Sequence, residues 1–247
     1  SFGSTCTPAV CVPGANVGVY GLDNTAAYPT SVTAGLTVTL DCNAGFVGGI
    51  QAECQASGDY QYVSGACNEE PISFEVSSSS GGTAANVFDA DTSTYWTSES
   101  VYSSSGTYQG TQTTLVYDSD TGNTDPVSGE WVQVQYANPK FIQYITLTPR
   151  QDANDAITTC RAPGMWMLAG SYDGISWRVA FSNPGGWTGM AQDSKVFYAT
   201  YSEYMDYSYF RLIIQTTGDG MCCFYSGCSA SASRELASLA EWQFTFQ

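Results

Sequence analysis

The chain contains no histidine. That absence removes Ser-His-Asp and Cys-His nucleophile arrangements, His-ligated zinc and the usual side-chain proton shuttle near neutral pH. Carboxylate-pair hydrolysis survives, because it needs only Asp and Glu. Charge is scarce as well: charged residues are 12% of the 247, with 7 bases against 23 acids and a formal net charge of -16. Lys140, Arg150, Arg161, Arg178, Lys195, Arg211 and Arg234 are the only bases, so the first half of the chain has acids and no bases. Such a surface repels phosphate backbones and anionic lipid, which argues against nucleic acid and against electrostatic membrane binding. Neutral glycans and cations, Ca²⁺ among them, suit it better, although acidity also simply keeps a secreted protein soluble. No apolar run is long enough to be a transmembrane segment or a retained signal segment.

What is present favours β-structure. Hydrophobic residues make up 43% and aromatics 14%, enough for a real core. With few charges, solubility rests on Ser, Thr, Asn, Gln, Gly and Tyr, a mixture poor for amphipathic helices. The 9 cysteines fall into two groups, Cys6 to Cys67 and Cys160 to Cys228. Their spacing is not that of paired C-x-x-C metal knuckles, so they read as disulfides of a secreted, extracellular protein. The first group spans a small Gly-, Ala-, Thr- and Val-rich unit that needs cross-links to be stable. Asn68-Glu69-Glu70-Pro71 marks a boundary, giving a disulfide module over 1–68, a linker over 69–72 and a larger domain over 73–247.

Beyond the boundary, short strands alternate with turn residues. Trp131-Val132-Gln133-Val134-Gln135-Tyr136 alternates strictly between apolar and polar, and Phe141 to Leu147 follows across a short turn. Met165 to Gly170 and Trp177 to Phe181 are joined through Tyr172-Asp173-Gly174, a strong turn signal. Tyr209 to Ile214 and Trp242 to Phe246 supply late strands. Residues 98–129 are rich in Ser, Thr, Gly and Asp and read as an excursion from the sandwich, either a long loop or an added hairpin around Thr114-Leu115-Val116-Tyr117. Ser77 to Ser80 reads as a flexible surface turn and an O-glycosylation spot; no Asn-x-Ser/Thr sequon exists. Repeated strands without helical spacing indicate an all-β sandwich or jelly roll.

Five segments, in order, resemble discoidin domains, the coagulation-factor type C modules. They are Ala85 to Trp96, Trp131 to Tyr136, Pro163 with Trp166-Met167-Leu168 and Gly170 to Trp177, Tyr209 to Leu212, and Ala240 to Phe244. The resemblance implies a discoidin-like β-sandwich over about 72–247, with Trp96, Trp131, Trp166 and Trp177 in the core. The chain departs from the family pattern in three places: no cysteine lies near the ends of the domain, residues 98–129 are longer than the usual connection, and Asp89-Ala90 replaces the usual Asp-Gly. The amino-terminal part is similar to a degenerate sushi (complement control) module: Cys11, Cys42, Cys54 and Cys67 have its spacing, with Tyr60 in place of the expected Trp. That resemblance implies the pairs Cys11–Cys54 and Cys42–Cys67.

Two sites follow. Asp89, Asp91 and Thr94 place three oxygen side chains within six residues, the donor type that Ca²⁺ prefers. In carbohydrate-binding discoidin relatives this loop and a Glu of the last strand, here Glu241, hold a structural Ca²⁺; taken alone, the loop reads as an Asx turn with solvated carboxylates. The resemblance also places ligand contacts on variable loops, over 97–108, 150–162 and 216–232. Tyr102, Tyr108, Arg150, Arg161 and Phe224 are its candidates, against the plainer reading that they cap their own loops. Trp187 stands apart as a Trp with exposed surroundings. Cys160, Cys222, Cys223 and Cys228 tie loops together. An odd total leaves Cys6 as a free thiol or a covalent link to another subunit.

Two functions remain open: a non-enzymatic glycan- or glycoprotein-binding adhesion protein, and a structural subunit of an extracellular filament, coat or matrix that uses the sandwich for self-association. An enzyme is disfavoured, because no carboxylate pair can be placed on one cleft.

Overall fold

The computed structural model describes residues 10–11, 31–42, 46–150, 160–183, 194–198, 206–218 and 234–246. Cys6, Trp187, Cys222, Cys223, Phe224 and Cys228 lie outside these. The chain divides into two compact units, Ser1–Glu70 and Pro71–Gln247.

In the first unit, β1 (Val10–Cys11) pairs with β2 (Val32–Thr33), and β3 (Thr37–Asp41), β4 (Phe46–Cys54) and β5 (Tyr60–Glu69) form an antiparallel sheet. Cys11–Cys54 and Cys42–Cys67 are bonded, the pairing that the sushi resemblance implied. The buried cluster is small: Cys11, Val32, Leu40, Ile50, Ala52, Cys54, Tyr60 and Cys67. Three of these eight are cysteines, so cross-links supply much of what hydrocarbon supplies in a larger core. The Cys11–Cys54 bridge spans 43 residues, and the chain-entropy model values such a loop at roughly 4 kcal/mol. Replacing both cysteines by Ser is therefore expected to lower this unit's stability by at least about 2 kcal/mol, read from urea unfolding.

The junction is narrower than 69–72. Glu69 pairs with Phe46 inside β5, and the Ile72 amide already donates to the Gln135 carbonyl, at 2.8 Å.

The second unit carries β6 (Ser73–Val76), β7 (Trp96–Thr97), β8 (Thr113–Asp118), β9 (Asn123–Ser128), β10 (Glu130–Lys140), β11 (Ile142–Thr148), β12 (Trp166–Ser171), β13 (Trp177–Asn183), β14 (Lys195–Tyr198), β15 (Tyr207–Ile214), β16 (Ser238–Leu239) and β17 (Glu241–Phe246). One sheet has the order β6-β10-β15-β12-β13-β8-β9 and a second has the order β14-β11-β17; β16 and β7 form a small separate pair. Alternation decides what faces inward. Val132, Val134 and Tyr136 of β10 meet Phe210, Leu212 and Ile214 of β15 on one side of the core. Ile145 and Leu147 of β11, with Trp242 and Phe244 of β17, come from the other sheet. Ring contacts close the gap between sheets, with Phe210 and Phe244 at 5.3 Å. This is an all-β sandwich, and every strand read from the sequence in this unit is found within a few residues of its expected place.

The excursion over 98–129 contains the expected hairpin, but the hairpin is part of the large sheet. β8 joins β13 through a short parallel pairing, Trp177 opposite Val116 and Arg178 opposite Tyr117, and β9 becomes the edge. Its underside covers the outer face of the sheet, where Val116, Val127, Ala169, Trp177 and Ile213 are buried. Arg211 lies there between two indoles, 4.0 Å from the Trp131 ring and 4.2 Å from the Trp177 ring. Its guanidinium donates to Gln133 Oε1 and Thr114 Oγ1. Trp96 and Trp166 sit in the inter-sheet core as expected, whereas Trp131 and Trp177 pack on this second, outer cluster. Pro126 lies on the edge strand, where a missing N–H blunts further strand pairing.

Candidate functional site

The loop between β6 and β7 is held by its own polar groups. Asp89 Oδ1 accepts from the Asp91 amide, and Asp91 Oδ1 accepts from both the amide and the hydroxyl of Ser93. Asp91 is thus spent on an Asx turn, and those bonds to Ser93 hold its carboxyl below the ordinary range. Ala90, between the two acids, has φ 59, the one positive-φ residue other than glycine among the described residues. Asp89-Ala90 thus makes a left-handed turn that an alanine adopts at a cost of about 1 kcal/mol. Ala90→Gly is accordingly expected to leave stability unchanged or raise it by up to about 1 kcal/mol, where a typical Ala→Gly change lowers it. Chemical denaturation of the two proteins checks this.

The Thr94 hydroxyl has three oxygens around it: Asp89 Oδ2 at 2.8 Å, the Asp91 carbonyl at 3.1 Å and the Asn86 carbonyl at 3.2 Å. One proton cannot serve three acceptors. Glu241, at the start of β17, adds two more oxygens beside Asp89. It is 2% exposed, and neither carboxylate oxygen has a hydrogen-bond partner. Burial first, and then the neighbouring Asp89 carboxyl, push its carboxyl up to about 8. The amides of Asp91 and Ala90 lie near enough to favour its charge, yet no donor completes a hydrogen bond to it. Among the described residues, none of the groups acting on Glu241 is positively charged.

The cluster therefore has too many acceptors and too few donors, and a hard cation with oxygen ligands fits that deficit. Carboxylate oxygens of Asp89 and Glu241, the Thr94 hydroxyl and the carbonyls of Asn86 and Asp91 are the oxygens that would ligate it; Asp91 offers its carbonyl, since its side chain is engaged. Among the described residues no three His, Cys, Asp or Glu side chains form a metal cage. The chemistry is that of an oxygen site built partly from backbone.

Next to this loop, the Arg150 guanidinium stacks 3.7 Å over the Tyr95 ring and reaches Thr97 Oγ1 at 3.5 Å. Arg150 thus shares an end of the sandwich with the acidic loop. Tyr102 and Tyr108 are placed differently. They pair edge to face at 5.4 Å, and Tyr102 is 4% exposed, with its hydroxyl donating to the Ile214 carbonyl. A buried ring has no face to offer a ligand. Tyr108 is half-buried and its hydroxyl donates to Glu130 Oε1 at 3.1 Å. Burial raises both phenols, Tyr102 well above the usual range and Tyr108 to about 12, with the Glu130 charge adding to each. Both residues cap their own loop. Arg161, next to Cys160 in the chain, is half-buried. Cys160 is buried and disulfide-bonded, its partner lying outside the described residues. The Phe224 expectation also lies outside them.

Glu130 was not singled out from the sequence. It is 1% exposed and collects Ser77 Oγ at 2.5 Å, Ser78 Oγ and the Tyr108 hydroxyl. The signal was there: Glu130 shares the inward register of Val132, Val134 and Tyr136, which marks a buried acid at the head of the strand. Its partners also correct the reading of Ser77 to Ser80 as a flexible turn. Ser80 donates to the Ser98 carbonyl and Ser79 to the Gly82 carbonyl, so all four hydroxyls are fixed.

No family model matches the chain, and no curated protein matches it. Solved structures similar to it include a family 32 carbohydrate-binding module from C. perfringens NanJ in complex with galactose, at 13% identity over 70% of this chain and 91% of that one, TM-score 0.43. A second is the CBM32 of AlyQ in complex with 4,5-unsaturated mannuronic acid, at 12% identity over 71% and 95%, TM-score 0.43. A third is CBM32-3 from a family 31 glycoside hydrolase from Clostridium perfringens, at 16% identity over 72% and 90%, TM-score 0.45. The sandwich assignment stands on strand order and register, independently of these likenesses.

Proposed function

We propose that the second unit is a non-catalytic, extracellular glycan-binding module whose loop end is built around one Ca²⁺, and that the first unit is a sushi-type module joined to it. The observation that carries the reading is the donor-poor oxygen cluster of Asp89, Thr94 and Glu241, because burying Glu241 without a partner is costly unless a cation answers it. When bound, Ca²⁺ would draw the Asp89–Thr94 loop onto the first residue of β17. The chain's own residues do the rest: the loop fixes Tyr95, and Tyr95 carries the planar Arg150. Stacked, its guanidinium presents a flat array of donors suited to sugar oxygens.

Support for the extracellular setting comes from the two disulfides of the first unit and the bonded Cys160. Among the described residues no helix is long and apolar enough to cross a membrane. A glycan array probed with the full chain in Ca²⁺ tests the function. Retention of neutral or uronic-acid glycans, lost in chelator and weakened at least about tenfold in Arg150→Ala, is expected. A chain that binds no glycan, but forms open-ended polymers, would replace this reading with the structural-subunit one.

A further inference from the structure

The outer face of the small sheet carries a second feature. Residues of β14, β11 and β17 that do not face the core stand in two rows: Tyr198, Tyr144 and Thr245, then Val196, Thr146 and Gln243. Their neighbours in sequence face inward, as Phe197 shows by packing its ring on Trp166 at 4.9 Å. None of the six is charged, in a chain of net charge -16. Tyr198 is 68% exposed, and its ring lies 5.5 Å from that of the half-buried Tyr144, tilted by 54°. The pair is a cross-strand unit that needs no partner to hold it.

Resting on the reading above that this protein binds glycan, we infer that this face is a second, separate sugar-binding surface, and that its ligand is a neutral polysaccharide. Three physical points select that occupant. Aromatic faces flanked by amide and hydroxyl side chains match a sugar ring, which presents C–H groups to an aromatic and hydroxyls to its rim. With no charge among these six residues, an acidic or basic polymer finds no counter-ion on them. The size also fits. Among the described residues, three strands about 4.8 Å apart and two rows of residues make a patch on the order of 200 Å². A stable protein interface needs about 800 Å² per partner. A few sugar units need no more than this patch. Two sites on one module, one at the loops and one on the sheet, would let the protein hold a polymer at two points, with a gain by effective concentration.

Native affinity electrophoresis of the full chain tests this, with galactomannan, xyloglucan or β-1,3-glucan in the gel and Ca²⁺ in the buffer. The native chain is expected to be retarded, with Tyr198→Ala and Tyr144→Thr each weakening retardation about three- to tenfold. Gln243→Ala should give a smaller loss. Melting temperatures of the variants, with Tyr198→Ala as the exposed and least disruptive change, separate loss of binding from loss of fold. A native chain retarded by a gel in which both tyrosine variants migrate identically overturns the second surface while leaving the loop site standing. Retardation by none of the gels, and by no glycan on the array, overturns both. Light scattering that shows the native chain self-associating, with Tyr198→Ala monomeric and equally glycan-active, overturns the inference by making the face a protein contact.

Discussion

Stripping divalent ions from the chain is expected to lower the melting temperature of the sandwich by about 5–10 °C. A ligand present at a hundred times its Kd stabilises the folded state by about 2.7 kcal/mol. A domain of this size shifts by roughly 2–4 °C per kcal/mol. The site gives the pH dependence a definite sign. In the metal-free chain the Glu241 carboxyl titrates near 8 when folded and near its ordinary value of 4.5 when unfolded. Between those values the folded state holds the extra proton, so metal-free stability falls as pH rises from about 4.5 to about 8 and levels off above. Bound Ca²⁺ needs Glu241 ionised, so in excess Ca²⁺ this decline disappears or reverses. Melting curves at pH 5 and pH 8, each with Ca²⁺ and with chelator, make the comparison. Glu241→Gln removes the response to both, and a neutral side chain in that burial leaves the metal-free protein at least as stable as the native one at pH 8.

Arg211→Ala is expected to cost about 3 kcal/mol, roughly 6–12 °C in melting temperature, although Arg211 touches no part of the proposed sites. The guanidinium is a wedge between Trp131 and Trp177 and donates twice to Gln133 Oε1. Its removal leaves a gap between two indoles and strips Gln133 Oε1 and Thr114 of a donor. Burial lowers its pKa to about 10, with Glu75 acting in the opposite sense, so it stays charged at neutral pH. Arg211→Lys is expected to recover less than half of the loss, because an ammonium can neither lie flat between rings nor donate as a fork. Hydrogen exchange locates the effect: β8 and β9 should lose protection before β10 and β15 do. A loss below about 1 kcal/mol would show that the hairpin holds without the wedge.

Local pattern made the sandwich readable. Strict alternation in Trp131 to Tyr136 and the Asp173-Gly174 turn need only neighbours in sequence to be interpreted. The turn's geometry bears this out: the Asp173 carboxylate accepts from the amides of Ile175 and Ser176, and Gly174 takes φ 73. The pairing Cys11–Cys54 and Cys42–Cys67 in the first unit was legible only through the resemblance to a sushi module, which implied it. What was hidden depends on long-range partners. Nothing near Tyr102 foretells that its hydroxyl ends on the Ile214 carbonyl, 112 positions away, or that Ser77 and Ser78 surrender their mobility to Glu130. The parallel join of β8 to β13 is equally non-local, and it turned a loop-like excursion into two strands of the main sheet. Asp89, Thr94 and Glu241 were nameable as a set. That Asp91 turns its carboxylate to Ser93 and can offer only its carbonyl took the structure to see.

Isothermal titration of Ca²⁺ into the chelator-stripped full chain tests the central claim most directly. One Ca²⁺ per chain with saturable heat, abolished in Asp89→Ala and in Glu241→Gln, is the expected result. No heat with the native chain, or the same isotherm in both variants, would contradict the account: Glu241 would then be a buried acid that simply keeps its proton.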